Sequence, residues 1–432
     1  MSNYYSNLHS TAWLLNSNNN YDFNNIFSSG TEILSSAVKT GTPSWSISSY
    51  QIPAYNYNFT TEVINTLNNR PKASSDFVTG KTTAKAGKVY VFGTNIGYNA
   101  KSCGLEYWPP GPECPVSKVN SVSFPLHPAP ESSAGGCTAP YGGPVAWLVN
   151  GVALYGWSDA TSYQNGNVWQ DVAMSFEIYD MDPCYGHAAK EQYHHHSFSP
   201  CLAERLNDKG LKHSPIYGFS FDGYPIYGPY QSNGVLAVSC WQKRVYSDPR
   251  MGCPDGTRSC VLVDPVDYSK GTVAVAAGPS LTSTVKTQSG NTISSRSGIY
   301  KQDYYFNSTC SAAGKEHLNQ FNGHTHDDLG FHYHLTIDSQ GVAAFPFGPS
   351  LYFYGCTSGS ICRTSTCAST TAKTPLVSTT GSSVSLIVMM ITSLDPLLVA
   401  ALTSVITLVM LFMLFKGKIA PSKESKEECC QI

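Results

Sequence analysis

Asn150-Gly151-Val152-Ala153-Leu154-Tyr155-Gly156 runs on to Gly186-His187 and then to Tyr193-His194-His195-His196. The same order returns as Asp222-Gly223-Tyr224-Pro225-Ile226-Tyr227-Gly228, Gly323-His324 and Phe331-His332-Tyr333-His334. Each copy reads Asn/Asp-Gly, a strand ending in Tyr-Gly, then Gly-His, then aromatic-His-x-His. The step from His187 to His194 is 7 residues, and from His324 to His332 it is 8. Two copies mean a duplicated supersecondary unit rather than a long solenoid array.

The period of a strand gives the motif its chemistry. In His-x-His both imidazoles project from one face, roughly 7 Å apart along the strand. They can converge on one ion at about 2.0–2.1 Å when a third ligand arrives from elsewhere. The glycine before His187 and His324 is expected to let the backbone turn so that this third ring swings in. The candidate ligand sets are therefore His187, His194 and His196, and His324, His332 and His334. Neutral imidazole suits copper or zinc. If the two sets face apart they make two three-histidine sites; if they face together they make one larger or dinuclear site. His195 falls on the opposite face, as does Tyr333. His326 is a further candidate, because His324-Thr325-His326 is itself a His-x-His that the first copy lacks. Asp182, Asp222 and Asp327 (with its neighbour Asp328) are nearby carboxylates that could support the ligands, although Asp222-Gly223 also fits a turn. His9, His127, His213 and His317 are isolated and receive no role.

The surrounding 432 residues are poor in charge, 13% against a usual share of roughly 25%. Lys plus Arg is 27 and Asp plus Glu is 29, a net charge of -2. Nucleic acid is excluded as a main partner, since neutralising phosphates takes clustered basic residues. Gly 36, Pro 26 and short aromatic or β-branched runs predict a mainly β body of packed sheets with short helices. Lys88-Val89-Tyr90-Val91-Phe92-Gly93 reads as a strand with a turn, and Cys201 to Lys209 as a short helix.

Twelve of the 14 cysteines lie between Cys103 and Cys367 without tandem zinc-ribbon spacing, which reads as a disulfide framework made in an oxidising compartment. Cys253 and Cys260 bracket a tight loop and form a candidate local bridge. The sequons at Asn58 and Asn307 are candidate glycosylation sites that agree with secretion. Nineteen uncharged residues, 397–415, are long enough for one transmembrane helix. An apolar lead-in at 384–394 precedes it. Lys416, Lys418, Lys423 and Lys426 place the tail, 416–432, in the cytosol. Residues 1–85 are polar and Asn/Ser/Thr-rich and read as weakly structured sequence with a first strand or two. They show no basic and apolar leader, so either the true start lies further upstream or the chain is tail-anchored with its body in the cytosol; the cysteines and sequons favour the first. The main domain is expected at 86–356, with pseudo-repeats at about 145–205 and 217–356 and an inserted loop at 269–297. A Ser/Thr-rich stalk at 357–383 follows. Cys429 and Cys430 are candidate lipidation sites.

The chain resembles the YHYH domain proteins over roughly Ala86 to Cys356. The likeness rests on Asp182-Pro183-Cys184-Tyr185-Gly186-His187, His213-Ser214-Pro215-Ile216-Tyr217-Gly218-Phe219, Phe221 to Pro229, and Phe331-His332-Tyr333-His334. Such copies usually show Asp-x-Cys-x-Gly-His. Here the second copy has Asn319 and Phe321 instead, which argues against a disulfide there and leaves the histidines intact. The resemblance implies a domain type and little mechanism. Three functions fit the residues: a cell-surface or secretory-membrane protein that binds copper or zinc, a metal-dependent hydrolase or oxidoreductase, or a structural or adhesive ectodomain without metal. No Gly-x-Ser-x-Gly, phosphate loop or dinucleotide fingerprint is present.

Overall fold

The duplicated motifs become eight strands of one sheet. In the first half, β1 (Pro144–Leu148) and β2 (Ala153–Tyr155) form a hairpin, as do β3 (Gly186–Ala189) and β4 (Gln192–His195). In the second half, β5 (Ile216–Ser220) pairs with β6 (Pro225–Tyr227), and β7 (Gly323–Thr325) with β8 (Phe331–His334). The order across the sheet is β3-β4-β2-β1-β5-β6-β8-β7. Strand β4 is parallel to β2 and β8 is parallel to β6, while the other neighbours are antiparallel. In the central pair Trp147 lies opposite Phe219, its counterpart in the other half. A pseudo-twofold axis therefore passes between them. Packed sheets were the expectation for the two copies; a single continuous sheet is what they form.

The turns follow from residue type. Gly151 (φ 83°) and Gly223 (φ 88°) take the left-handed conformation that closes each Asn/Asp-Gly hairpin. The β3–β4 hairpin turns through Lys190 and Glu191, both at positive φ, as a two-residue primed turn requires.

The computed structural model describes residues 2–14, 33–38, 44–99, 113–130, 137–326, 328–349 and 351–355. These residues belong to one unit, Met1–Thr364, and are mainly β with short helices. The stalk at 357–383, the lead-in at 384–394, the candidate span at 397–415, the tail and Cys429 and Cys430 lie outside the described residues. Among the described residues no helix is long and apolar enough to cross a membrane.

The N-terminal residues depart from their weakly structured expectation. Helix Ser2–Thr11 carries Tyr5 and His9 one turn apart, and Trp13 continues that line. All three are buried, with His9 stacked 3.8 Å from the Phe219 ring and Trp13 at 5.1 Å. Strands Ile33–Val38, Ser44–Ser49 and Asn120–Pro125 form a three-stranded sheet. Strand Lys88–Val91 pairs with Asn56–Phe59. The expected helix is Pro200–Arg205, started by Pro200 and capped by the Ser199 hydroxyl, which accepts from the Leu202 amide. The segment 269–297 is no bare loop: Thr272–Ala274 pairs with Cys260–Leu262, and Thr284–Lys286 with Thr292–Ser294. Disulfides join Cys184 to Cys201, Cys240 to Cys310 and Cys253 to Cys260.

Candidate metal centres

In each half the third histidine meets the His-x-His pair through strand pairing. His187 on β3 is the cross-strand partner of His194 on β4, and His324 on β7 is that of His332 on β8. Opposed residues of an antiparallel pair share a face. The ring centroids are accordingly 4.6 Å apart in the first half and 4.8 Å in the second. The preceding glycines act differently from the sequence expectation. Neither Gly186 nor Gly323 has a positive φ. Instead the ring of Tyr193 covers Gly186, and the His332 carbonyl and the Phe331 ring cover Gly323, where any Cβ would collide with them. Glycine makes room for the neighbouring aromatic, and the third ring is already in place.

The first centre is closed. His187, His194 and His196 are 1%, 1% and 3% exposed, and their candidate ligand nitrogens lie within 4.8 Å of one another. His194 Nδ1 lies 3.0 Å from the Gln192 carbonyl and His196 Nδ1 2.7 Å from that of Gly156. A carbonyl only accepts, so both rings carry a proton on Nδ1 and turn Nε2 toward the centre. Those two Nε2 atoms are 3.1 Å apart. Neither ring nitrogen of His187 has a hydrogen-bond partner. Tyr155 stacks on His194 at 3.8 Å. Glu177, just after the short helix Ala173–Phe176, brings Oε2 to 3.0 Å from His196 Nε2 and 3.6 Å from His187 Nε2. Burial works against the charge of Glu177, but His196, His187 and a hydrogen bond with Asp159 outweigh it and hold the carboxyl low. Asp159 is pushed up in turn by burial and by Glu177.

The second centre repeats the device with more histidines. His334 Nδ1 lies 2.6 Å from the Gly228 carbonyl, the counterpart of Gly156, and His324 Nδ1 lies 2.8 Å from that of Lys315. Their Nε2 atoms face each other at 3.1 Å. His332 Nδ1 is 2.9 Å from the Gly330 carbonyl, leaving its Nε2 without a hydrogen-bond partner. His213, His326, His332 and His334 bring candidate ligand nitrogens within 4.8 Å of one another. Burial lowers His187 and His324 to about 4 and His332 to about 2, and takes His194 and His334 well below the usual value.

The two centres sit near opposite edges of the sheet. Strands β4 and β8 are separated by β2, β1, β5 and β6, so at about 4.8 Å per strand they stand roughly 24 Å apart. The histidines therefore form two separate clusters rather than one.

The opposite face holds the remaining candidates. His195 Nε2 meets the Tyr55 hydroxyl at 2.8 Å and its Nδ1 the Tyr185 carbonyl at 3.0 Å. Asp182 and Asp222 bond no histidine of either set. Asp182 accepts from the Cys184 and Gly186 amides and, at 2.6 Å, from the Tyr193 hydroxyl. Asp222 accepts from the Tyr333 hydroxyl at 2.5 Å and the Gly355 amide at 2.9 Å. Both fix the strand from behind the histidines rather than supporting a ligand. Asp327 lies outside the described residues. Asn58 is exposed, whereas the Asn307 amide caps helix Ser308–Ser311 and donates to Gln242.

Sequence reasoning overlooked Glu177, Asp159 and His213. Glu177 and Asp159 belong to the connection between β2 and β3 and carry no motif. His213 precedes β5 where the first copy has Tyr141 instead, so repetition does not mark it.

A family model described as YHYH protein matches residues 121–345. That span is more than half of the 432 residues and contains all eight strands and both centres, so the chain belongs to the YHYH protein family. No curated protein and no solved structure matches the chain.

Proposed function

We propose that this YHYH protein holds two transition-metal ions, copper or zinc, one in each histidine centre. The carrying observation is a pair of Nε2 atoms facing at 3.1 Å in each half, His194 with His196 and His324 with His334, on rings whose Nδ1 already donates to a carbonyl. Two nitrogens at that distance need a cation between them, a proton or a metal ion. With bonds of 2.0–2.1 Å, a separation of 3.1 Å corresponds to an angle of about 98° at a shared ion. The Nδ1 bonds to Gly156, Gly228, Gln192 and Gly330 are the outer contacts that fix ring orientation in metal sites. His187, His194, His196 and Glu177 would hold the first ion. The second would take its ligands from His213, His324, His326, His332 and His334.

Burial of the rings favours holding a metal over turning over a substrate at it. The Glu177–Asp159 carboxylate pair beside the first centre supports a second reading, a metal-dependent hydrolase or oxidoreductase at that centre alone. The disulfides support an oxidising compartment. With the uncharged run at 397–415, they support a membrane-anchored body outside the cytosol, with Asn58 the better placed of the two candidate glycosylation sites.

Elemental analysis of the purified protein after zinc or copper loading and dialysis tests the reading. Two equivalents are expected in the wild type, and one each in His194→Ala/His196→Ala and His332→Ala/His334→Ala. A wild type that retains neither metal overturns it.

A further inference from the structure

The two histidine centres differ in how many donors they carry and in how those donors meet solvent. The first has three imidazoles and one carboxylate. Glu177 Oε2 stands 3.0 Å from His196 Nε2 and 3.6 Å from His187 Nε2, and the Nε2 atoms of His194 and His196 are 3.1 Å apart. Donors at the corners of a tetrahedron, about 2.0–2.1 Å from an ion, are about 3.3–3.4 Å from one another. The three spacings bracket that value, and four donors complete a four-coordinate ion. The three rings are at most 3% exposed. At the position of His213 this half has Tyr141, whose hydroxyl donates to the Thr161 carbonyl at 2.9 Å. The first centre therefore has no spare imidazole among the described residues.

The second centre has five imidazoles, one more than such an ion takes. The His213 ring lies 5.2, 5.5 and 5.3 Å from those of His326, His332 and His334. His324 lies 4.6, 4.8 and 5.0 Å from the same three. His213 and His324 thus flank one shared trio and define two overlapping ligand sets. The set of His213 and the trio has its candidate nitrogens within 4.8 Å of one another. In the other set the Nε2 atoms of His324 and His334 are 3.1 Å apart. His213 Nδ1 lies 2.8 Å from the Ser214 carbonyl, so Nε2 is the nitrogen that it can offer. Exposure is graded across the cluster. His332 and His334 are 0% exposed and His324 and His326 8%, whereas His213 is only half-buried and follows the exposed Leu211 and Lys212. An ion that trades His324 for His213 without leaving the trio gives up one bond at a time. Zinc suits such a trade, because its filled d shell imposes no geometry of its own.

We propose that the second centre is an exchanging zinc site, from which the ion passes outward by way of His213 to an external chelating acceptor, while the first centre keeps its ion. The inference rests on the metal reading above. One zinc–nitrogen bond breaks as another forms, and the ion keeps its charge throughout. The test mixes the full chain, loaded with zinc, with an excess of the chromogenic chelator pyridylazoresorcinol in a stopped-flow spectrometer. Two phases of one equivalent each are expected, with rates about tenfold or more apart. His332→Ala/His334→Ala should abolish the fast phase and His194→Ala/His196→Ala the slow one. His213→Ala should slow the fast phase about fivefold or more, since the ion then leaves the inner set directly. Should a variant fail to fold, the wild-type time course still decides, because a single phase overturns the inference. An unchanged fast phase in His213→Ala, loss of the second ion in that variant, or a fast phase that belongs to the first centre also overturns it. Each of these results leaves the two metal sites standing. A wild type that retains no zinc overturns the inference too, and one that retains neither zinc nor copper overturns the metal reading with it.

Discussion

Replacing Tyr193 with Phe removes one hydroxyl from the first half and leaves every ring in place. That hydroxyl donates to Asp182 Oδ2 at 2.6 Å with both residues at most 1% exposed. Burial pushes Asp182 up to about 6, so at pH 8 it is ionised and the bond is charge-assisted. Loss of such a bond is expected to cost about 2 kcal/mol, within the usual range of about 1.5–3 for a charged partner. The second half already shows the compensated version. There Phe331 stands for Tyr193 and Asn319 for Asp182, and Asn319 Oδ1 still accepts from the Phe321 amide at 3.0 Å. Asp182→Asn in the Tyr193→Phe background should therefore recover about half of the loss, because the turn keeps its acceptor and the unpaired buried charge is gone. Urea denaturation at pH 8 with a chelator present, so that bound metal does not add stability, measures all four corners of the cycle. The coupling expected is about 1 kcal/mol or more. Single-mutant losses that add to within about 0.5 kcal/mol, the behaviour of independent sites, would refute the pairing.

Acid should weaken the metal-free fold through its buried imidazoles. Burial lowers His195 to about 4 against 6.5 for a free ring. Its contribution is complete above pH 6.5 and is lost as pH falls toward 4, about 3 kcal/mol in all. His195→Gln should flatten that part of the stability–pH curve, as read from urea midpoints. Gly186→Ala drives a Cβ into the Tyr193 ring and should cost about 1–3 kcal/mol. Gly143→Ala, where a Cβ meets nothing within 4 Å, should sit near zero in the same melting assay. Cleaving the Cys184–Cys201 bridge, 17 residues apart, should cost about 3 kcal/mol. It should also lower metal retention at the first centre more than at the second.

How much of this was legible in the chain divides along a physical line. His194 and His196 share a face because strand side chains alternate, and a period of two is visible in four residues. The third rings, His187 and His324, sit beside a glycine in both copies, so repetition exposed them even though the glycine's purpose was misread. Tertiary convergence leaves no such trace. Glu177 reaches His196 from the residue that follows a one-turn helix, and His213 reaches the second centre from the residues before β5; neither has a spacing that predicts the contact. Tyr5, His9 and Trp13 were legible in principle, at helical spacing, but the Asn/Ser-rich sequence after them masked a helix end that packs on Phe219. The two edge hairpins were readable; the single sheet joining them was not, because β1 and β5 meet through backbone hydrogen bonds that no side chain announces.

That central seam has a consequence for how such a molecule can be divided. Val145, Ala146, Trp147 and Leu148 on β1 are all at most 1% exposed, and the strand's outer hydrogen-bonding edge is filled by β5. A chain cut between the halves leaves β1 as an open, apolar border, the kind that recruits whatever strand is nearest. In the intact chain that border is closed by β5, antiparallel, with Trp147 opposite Phe219. The continuous polypeptide is thus a tethered pair of like halves, in which the histidine cluster of either can change while the β1–β5 seam stays closed.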